Sequence, residues 1–474
     1  MPDEALPFSP SPDPTPEEAV ETSAPLDRWG WLEIFVLVQL MWGVLLFIPG
    51  SQAYRTYIRA FPYVTSLIAL VVCARSTGTE ALVPGSRWLL AAGMLLMANL
   101  LHEETQMRAG LAQIVFQASI AAPMFWAARI GQGDVRLRRV VWLILLSSFA
   151  SAALGILQVY YPTTFLPPTF SAQALALNPD FVSALSYVGP NGDLIVRPPG
   201  LSDLPGGAAM AGMTASVLGV AFAFQAGQRQ LVRWMYLSAA VIGMTVLYLT
   251  QVRSLWLMAV AAMLAFAAMR LRQGRIIQGA WIAIIVAALV FGSFAWATMV
   301  GGETVYERFF GIYDTGLVRT FRENRGLFLN YTFSELLYEF PLGAGLGRWG
   351  MMQMYFGDPA AWRFQPIYVE VQFTGWLLDG GVLMWLFYGG ALLVAMVYSY
   401  RQATVAGGAV RDLATMVFCI QLVIVGLCFT GPVFNTQLGI EFWLVTAVLF
   451  GAGRLAEEES DSDAEPTDEF ALPD

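Results

Sequence analysis

The chain has 474 residues, 57% of them hydrophobic and only 13% charged, and its mean hydropathy is +0.58, whereas about 25% charge is usual in a soluble domain. This excludes a water-soluble enzyme: apolar stretches of membrane-spanning length recur along the whole chain, which favours one large membrane domain over several globular units of roughly 150 residues each. The formal charge of −9 belongs to the ends, since residues 1–28 carry seven acids and Arg28, residues 455–474 carry nine acids and no base, and removing these −15 leaves +6 for the body.

In chain order, residues 1–28 are rich in Pro, Ser and Glu and lack a basic n-region, so a disordered tail is expected there and not a signal peptide. About twelve spans follow, near 31–49, 57–74, 88–101, 110–128, 140–159, 208–227, 234–251, 255–269, 276–299, 376–399, 413–431 and 438–454. The third and eighth are short for a hydrocarbon core of about 30 Å. Residues 455–474 form a second acidic tail. The expected fold class is thus an all-α polytopic membrane protein, with one membrane domain over 29–454 and a tail at either end.

Arginine distribution sets the orientation, because short cytoplasmic connections are enriched in basic residues. With the N-terminus inside, the inner connections hold Arg75 and Arg87, then Arg129, Arg136, Arg138 and Arg139, then Arg229 and Arg233, then Arg270, Arg272 and Arg275, then Arg401 and Arg411. Both termini are then cytoplasmic, and two long outer loops remain, about 160–207 and 300–375. Within the second, Leu317, Phe321, Leu327, Phe328, Leu336 and Leu337 recur at helical spacing up to Pro341, which predicts one amphipathic helix over 317–340 lying on the membrane surface. Gly345, Gly347 and Gly350 in the run that follows match a dinucleotide fingerprint in form only. No strand precedes them, and a tight turn returning to the membrane face is expected instead.

All 26 basic residues are arginine. Without lysine, a Walker phosphate loop and Schiff-base chemistry are excluded. The single histidine, His102, excludes histidine-cluster metal sites; it either joins an outer cavity or caps the third span. Cys73, Cys419 and Cys428 all lie in apolar segments and read as small hydrophobes.

Charge near a bilayer is costly, so its depth is informative. Arg253 sits in a very short connection, Glu370 and Asp379 flank the start of the tenth span, and Glu441 is about one turn into the twelfth; all are near the outer face. Arg197, Arg253, Arg308, Arg319, Arg322, Arg325, Arg348 and Arg363 also fall in the outer half. A guanidinium stays charged and matches phosphate with two parallel hydrogen bonds, so such a cluster suits a lipid-linked diphosphate or, more blandly, phospholipid head groups. Trp349, Trp362 and Trp376 are candidate sugar platforms, although interfacial tryptophan is ordinary. Asp461 and Asp463 form an Asp-x-Asp pattern, but in the acidic tail on the inner side.

Arg197-Pro198-Pro199-Gly200-Leu201-Ser202-Asp203-Leu204-Pro205 before a span, Thr250-Gln251-Val252-Arg253-Ser254 between two spans, and Glu339-Phe340-Pro341-Leu342-Gly343-Ala344-Gly345-Leu346-Gly347 late in a large outer loop together resemble the O-antigen ligase and polymerase superfamily. The resemblance covers about residues 130–400. It implies a glycosyltransferase at the periplasmic face of the bacterial inner membrane, working on an undecaprenyl-diphosphate-linked glycan without metal, cofactor or nucleotide sugar, and with a saccharide, lipid or protein acceptor. It also implies that Arg197 and Arg253 hold the diphosphate, with Arg319 or Arg322 as a third; Arg325 and Arg348 are further candidates. Where family members carry a histidine as proposed base, this chain has Tyr368-Val369-Glu370-Val371, and Glu370 is the candidate replacement. The rival readings are a lipid-linked saccharide flippase and a non-catalytic assembly subunit. Nothing points to nucleic acid.

Overall fold

A computed structural model describes residues 29–48, 50–74, 82–167, 186–202, 206–358 and 367–464; Trp362, Arg363 and Asp203–Pro205 of the first motif lie outside them. Each apolar stretch of the sequence folds as helix. The first six are α1 (Trp31–Met41, extended by a tighter turn Trp42–Phe47), α2 (Arg55–Ala74), α3 (Ser86–Ala98), α4 (Met107–Ala121), α5 (Pro123–Ile130) and α6 (Asp134–Tyr160). A hairpin follows, β1 (Ser186–Val188) and β2 (Leu194–Val196), antiparallel with Tyr187 opposite Ile195. Then come α7 (Ala208–Ala223), α8 (Gln230–Thr250), α9 (Arg253–Arg272), α10 (Ile276–Gly301), α11 (Glu303–Thr315), α12 (Leu317–Arg322), α13 (Arg325–Tyr331), α14 (Gly350–Phe356), α15 (Gln372–Val405), α16 (Gly408–Leu427) and α17 (Gln437–Ala464).

Among the described residues nine helices are long and apolar enough to cross a membrane, α4 and α5 counting as one, and three shorter apolar segments accompany them: Trp31–Phe47, Ser86–Leu101 and Ala208–Ala223. The chain is an all-α polytopic membrane protein apart from the small hairpin. The eighth predicted span is longer than its hydropathy allowed: α9 has 20 residues because Arg253 at its start and Arg270 and Arg272 at its end continue the helix, and arginine is a good helix former.

The centre of the bundle is α7, which packs on α8 and α6. Nearly all of its residues are buried, and its small side chains let the backbones approach: a Cβ on Gly212 would come within 2.7 Å of the Gly243 carbonyl on α8. At one end of α9 and α16, Arg270 and Arg275 both pair with Asp412, at 2.5 and 2.8 Å, and Gln273 donates to the Ala403 carbonyl and to Thr415. These contacts tie α9, α10, α15 and α16 together where the buried Arg270 would otherwise be uncompensated.

Two predicted elements are corrected. The single amphipathic helix over 317–340 is broken at Glu323 and Asn324, where α12 ends and α13 begins. Asn324 has a non-helical backbone (φ −114°, ψ −100°) and its side-chain amide donates to the Thr320 carbonyl at 2.7 Å, the local competition with helix bonding typical of asparagine. The tenth span starts earlier than predicted, as α15, and is kinked at Gly380 and Gly381. Asp379 is therefore buried within the span rather than flanking it. Gly381 has φ +63°, and any Cβ there would meet the Pro341 carbonyl; the Val382 N–H donates to that carbonyl at 3.0 Å. The run Gly343–Gly347 packs into the kink, with the Ala344 N–H donating to the Leu378 carbonyl at 2.8 Å. The glycine-rich run is the tight turn its sequence predicts.

Candidate functional site

At the opposite end of α9 and α16 from the Arg270–Asp412 pair lies a cavity of about 710 Å³. Four segments far apart in sequence line it: Arg197 after β2, Gln251 to Ser254 across the α8–α9 turn and the start of α9, Arg308 on α11, and a face of α12 and α13. That face is Leu317, Thr320, Phe321, Asn324, Arg325 and Phe328, so the helical spacing survives the break. Leu257 and Met258 on α9, with Phe429 and Thr430 beyond α16, close the remaining wall. The volume is in the range of small-molecule sites.

The loop carrying Arg197 is lashed to α6. Gln158 donates to the Gly200 carbonyl at 3.0 Å and accepts from the Gly200 N–H at 2.8 Å, and Ser151 accepts from the Leu201 N–H at 3.1 Å. Gly200 has φ +63°, and a Cβ there would lie 2.6 Å from the Ser151 hydroxyl, so this turn needs glycine. Arg197 is half-buried beside the buried Tyr187 phenol. Burial lowers its affinity for the proton, the Arg308 charge lowers it further, and Tyr187 offsets part of this; a guanidinium nonetheless stays charged at neutral pH. Burial pushes the Tyr187 hydroxyl up, with Arg197 opposing.

Charge balance is the informative feature. Among the described residues no carboxylate pairs with Arg197, Arg253 or Arg308, and Arg197 Nε is buried without a hydrogen-bond partner. The Arg308 charge reaches both Arg197 and Arg253. Three guanidinium groups around one cavity, with Arg308 repelling the other two and no carboxylate partner among the described residues, have the chemistry that suits an anion. The fourth arginine on the wall, Arg325, pairs with Glu370, whose carboxylate also accepts from the Tyr368 hydroxyl.

The structure brings together Arg197, Arg253 and Arg325 of the predicted site, with Glu370 joined to it through Arg325. It does not bring in the others. Arg319 is exposed and forms a surface pair with Glu323 at 2.6 Å, and Arg322 is exposed and off the cavity face. Arg348 is buried away from the cavity, bonded to Glu104 at 2.5 Å and to the Ala344 carbonyl at 3.1 Å; it anchors the glycine-rich turn. Of the tryptophans, Trp349 is buried and donates to Asp379 at 2.8 Å, and Trp376 stacks in the core on Tyr388 and Phe434, so neither presents a face to sugar. His102 lies off the cavity at the end of the third apolar segment, where its N–H donates to the Asn99 carbonyl at 3.2 Å as the C-cap, and its Nδ1 accepts the Glu104 N–H of the following turn at 3.2 Å.

Gln251 was not assigned from the sequence, and Arg308 was counted among the outer arginines but not singled out. Arg308 follows a long span by only a few residues and carries no motif, and only tertiary packing sets it beside Arg253. Gln251 stood inside a quoted motif, but nothing in the sequence reveals its backbone conformation. No protein-family model matches the chain, and no curated protein matches it.

Proposed function

We propose that the protein is a membrane glycosyltransferase of the O-antigen ligase and polymerase type, transferring an undecaprenyl-diphosphate-linked saccharide at the periplasmic face of the bacterial inner membrane. The observation that carries this is the cavity lined by Arg197, Arg253 and Arg308, with no carboxylate paired to them among the described residues. Arg197 and Arg253 come from the two motifs whose resemblance first suggested a diphosphate. The reading takes the nine long helices and the three shorter apolar segments as twelve spans with both termini cytoplasmic, an orientation in which this end of the bundle faces outward.

In the proposed reaction an acceptor hydroxyl attacks the anomeric carbon of the donor with inversion. The bond from that carbon to the diphosphate oxygen breaks, and undecaprenyl diphosphate leaves. Negative charge builds on the leaving oxygens, where preorganised guanidinium groups stabilise the transition state more than the ground state. The hydroxyl proton passes to Glu370. In the free protein that carboxylate is engaged by Arg325 and Tyr368, so an anion that draws Arg325 toward the cavity also releases the base. Leu257, Met258 and Phe429 offer apolar contact for the lipid or for sugar faces.

Deletion in the native host tests this reading. Loss of the protein leads to accumulation of the lipid-linked intermediate; wild type restores the product, and Arg253→Ala lowers the transfer rate on the order of 100-fold. Glu370→Gln abolishes product if the carboxylate is the base. Normal product from both variants contradicts the proposal.

A further inference from the structure

The connection from α8 to α9 is two residues long, and its first residue, Gln251, is the one non-glycine residue with positive φ among those described (φ 58°, ψ 23°). This is the C-terminal cap of α8, a position where left-handed backbone is ordinarily taken by glycine because a Cβ crowds the neighbouring carbonyl. A glutamine here holds backbone strain, which persists only where the surroundings impose it and is concentrated at functional sites.

The side chain shows what the strain accomplishes. Gln251 is 3% exposed, lines the arginine cavity, and its amide Nε2 has no hydrogen-bond partner. Buried amide donors are almost always satisfied, because an unmade bond forfeits the solvation the group has lost. An orphan donor on a cavity wall is therefore a donor without its acceptor. Arg197 Nε, on a different loop of the same cavity, is in the same condition. Two buried N–H donors without an acceptor and three arginines without a carboxylate partner among the described residues belong to the walls of one cavity. This set suits an acceptor-rich anion better than a neutral hydroxyl, which itself needs an acceptor for its proton.

We propose that Gln251 is a further ligand-contacting residue, its Nε2 donating a hydrogen bond to a phosphoryl oxygen of the anion held by Arg197, Arg253 and Arg308, and that the left-handed turn serves to aim it. This rests on reading the cavity as a diphosphate site. A neutral donor adds direction without adding to the repulsion among the arginines.

The test is titration of the purified full chain in detergent with inorganic pyrophosphate, with thermal melting as a control for folding. Asparagine tolerates left-handed backbone, so Gln251→Asn keeps the turn and withdraws the amide by one methylene. Its affinity is expected to fall roughly three- to tenfold at unchanged melting temperature. Gln251→Glu keeps the length but turns a carboxylate on the anion, and is expected to weaken binding by more than about tenfold; if it fails to fold, the asparagine variant decides. Wild-type affinity in Gln251→Asn, with binding still lost in Arg253→Ala, overturns the role of Gln251 and leaves the diphosphate reading standing. Absence of Arg253-dependent binding in the wild type overturns both.

Discussion

At the scale of single residues, the decisive distinction is between arginines that have a partner and those that do not. Arg348 and Arg253 are both plausible phosphate ligands by position in the sequence. Arg348 is ion-paired with Glu104 and donates to a carbonyl, although its Nε has no hydrogen-bond partner, whereas Arg253 stands on a cavity beside Arg308. Replacing each by alanine should therefore have opposite signatures. Arg348→Ala loosens the turn into the α15 kink and costs about 1 kcal/mol of stability, a small amount because the Glu104 side chain it leaves is 44% exposed and rehydrates; pyrophosphate affinity stays at the wild-type level. Arg253→Ala loses affinity with little change in melting temperature. Arg319→Ala, at an exposed surface pair, should change neither.

At the scale of elements, the apolar periodicity was legible and the interruptions were not. The predicted spans are helical, and a helix satisfies its backbone hydrogen bonds within one apolar segment, where lipid offers no partner. The two breaks arise from competition that periodicity does not record: the Asn324 amide captures the Thr320 carbonyl, and the Pro341–Ala344 segment exchanges backbone hydrogen bonds with α15 across Gly380 and Gly381. Adjacent glycines inside an apolar span, next to Asp379, were the available signal for the second. Gly381→Ala should be among the most damaging single changes in the chain, since the added methyl overlaps the Pro341 carbonyl and also disfavours the positive φ. A loss of more than about 3 kcal/mol is expected, visible as failure to recover folded protein, while Gly292→Ala, where nothing lies within 4 Å of an added Cβ, should behave as wild type. The face of α12 and α13 was readable from spacing despite the break: Arg325 lies on the cavity side, while Arg319 and Arg322, on the same predicted helix, do not line it.

At the scale of the whole molecule, charge is divided between the two ends of α9 and α16. One end closes on itself: Arg270 and Arg275 are neutralised by Asp412, and the cluster holds four helices together. The other end is left open: Arg325 is paired with Glu370, but among the described residues Arg197, Arg253 and Arg308 line the cavity without a carboxylate partner. Asp412→Asn removes the counter-charge of a fully buried arginine and should lower stability by about 3 kcal/mol or more, yet folded protein that survives should bind pyrophosphate normally, since the cavity is at the far end. The arginine distribution separated the two ends, but which arginines are paired was not legible, because that depends only on what packs against them. The most direct test of the central claim uses purified protein in detergent, where no sidedness exists and translocation alone yields nothing new. Given an undecaprenyl-diphosphate-linked glycan and an acceptor, the protein should form a glycosidic product with inverted anomeric configuration, in a manner dependent on Arg253. Arg253-dependent binding of the lipid-linked glycan with no transferred product under these conditions would contradict a transferase and leave a carrier or an assembly subunit.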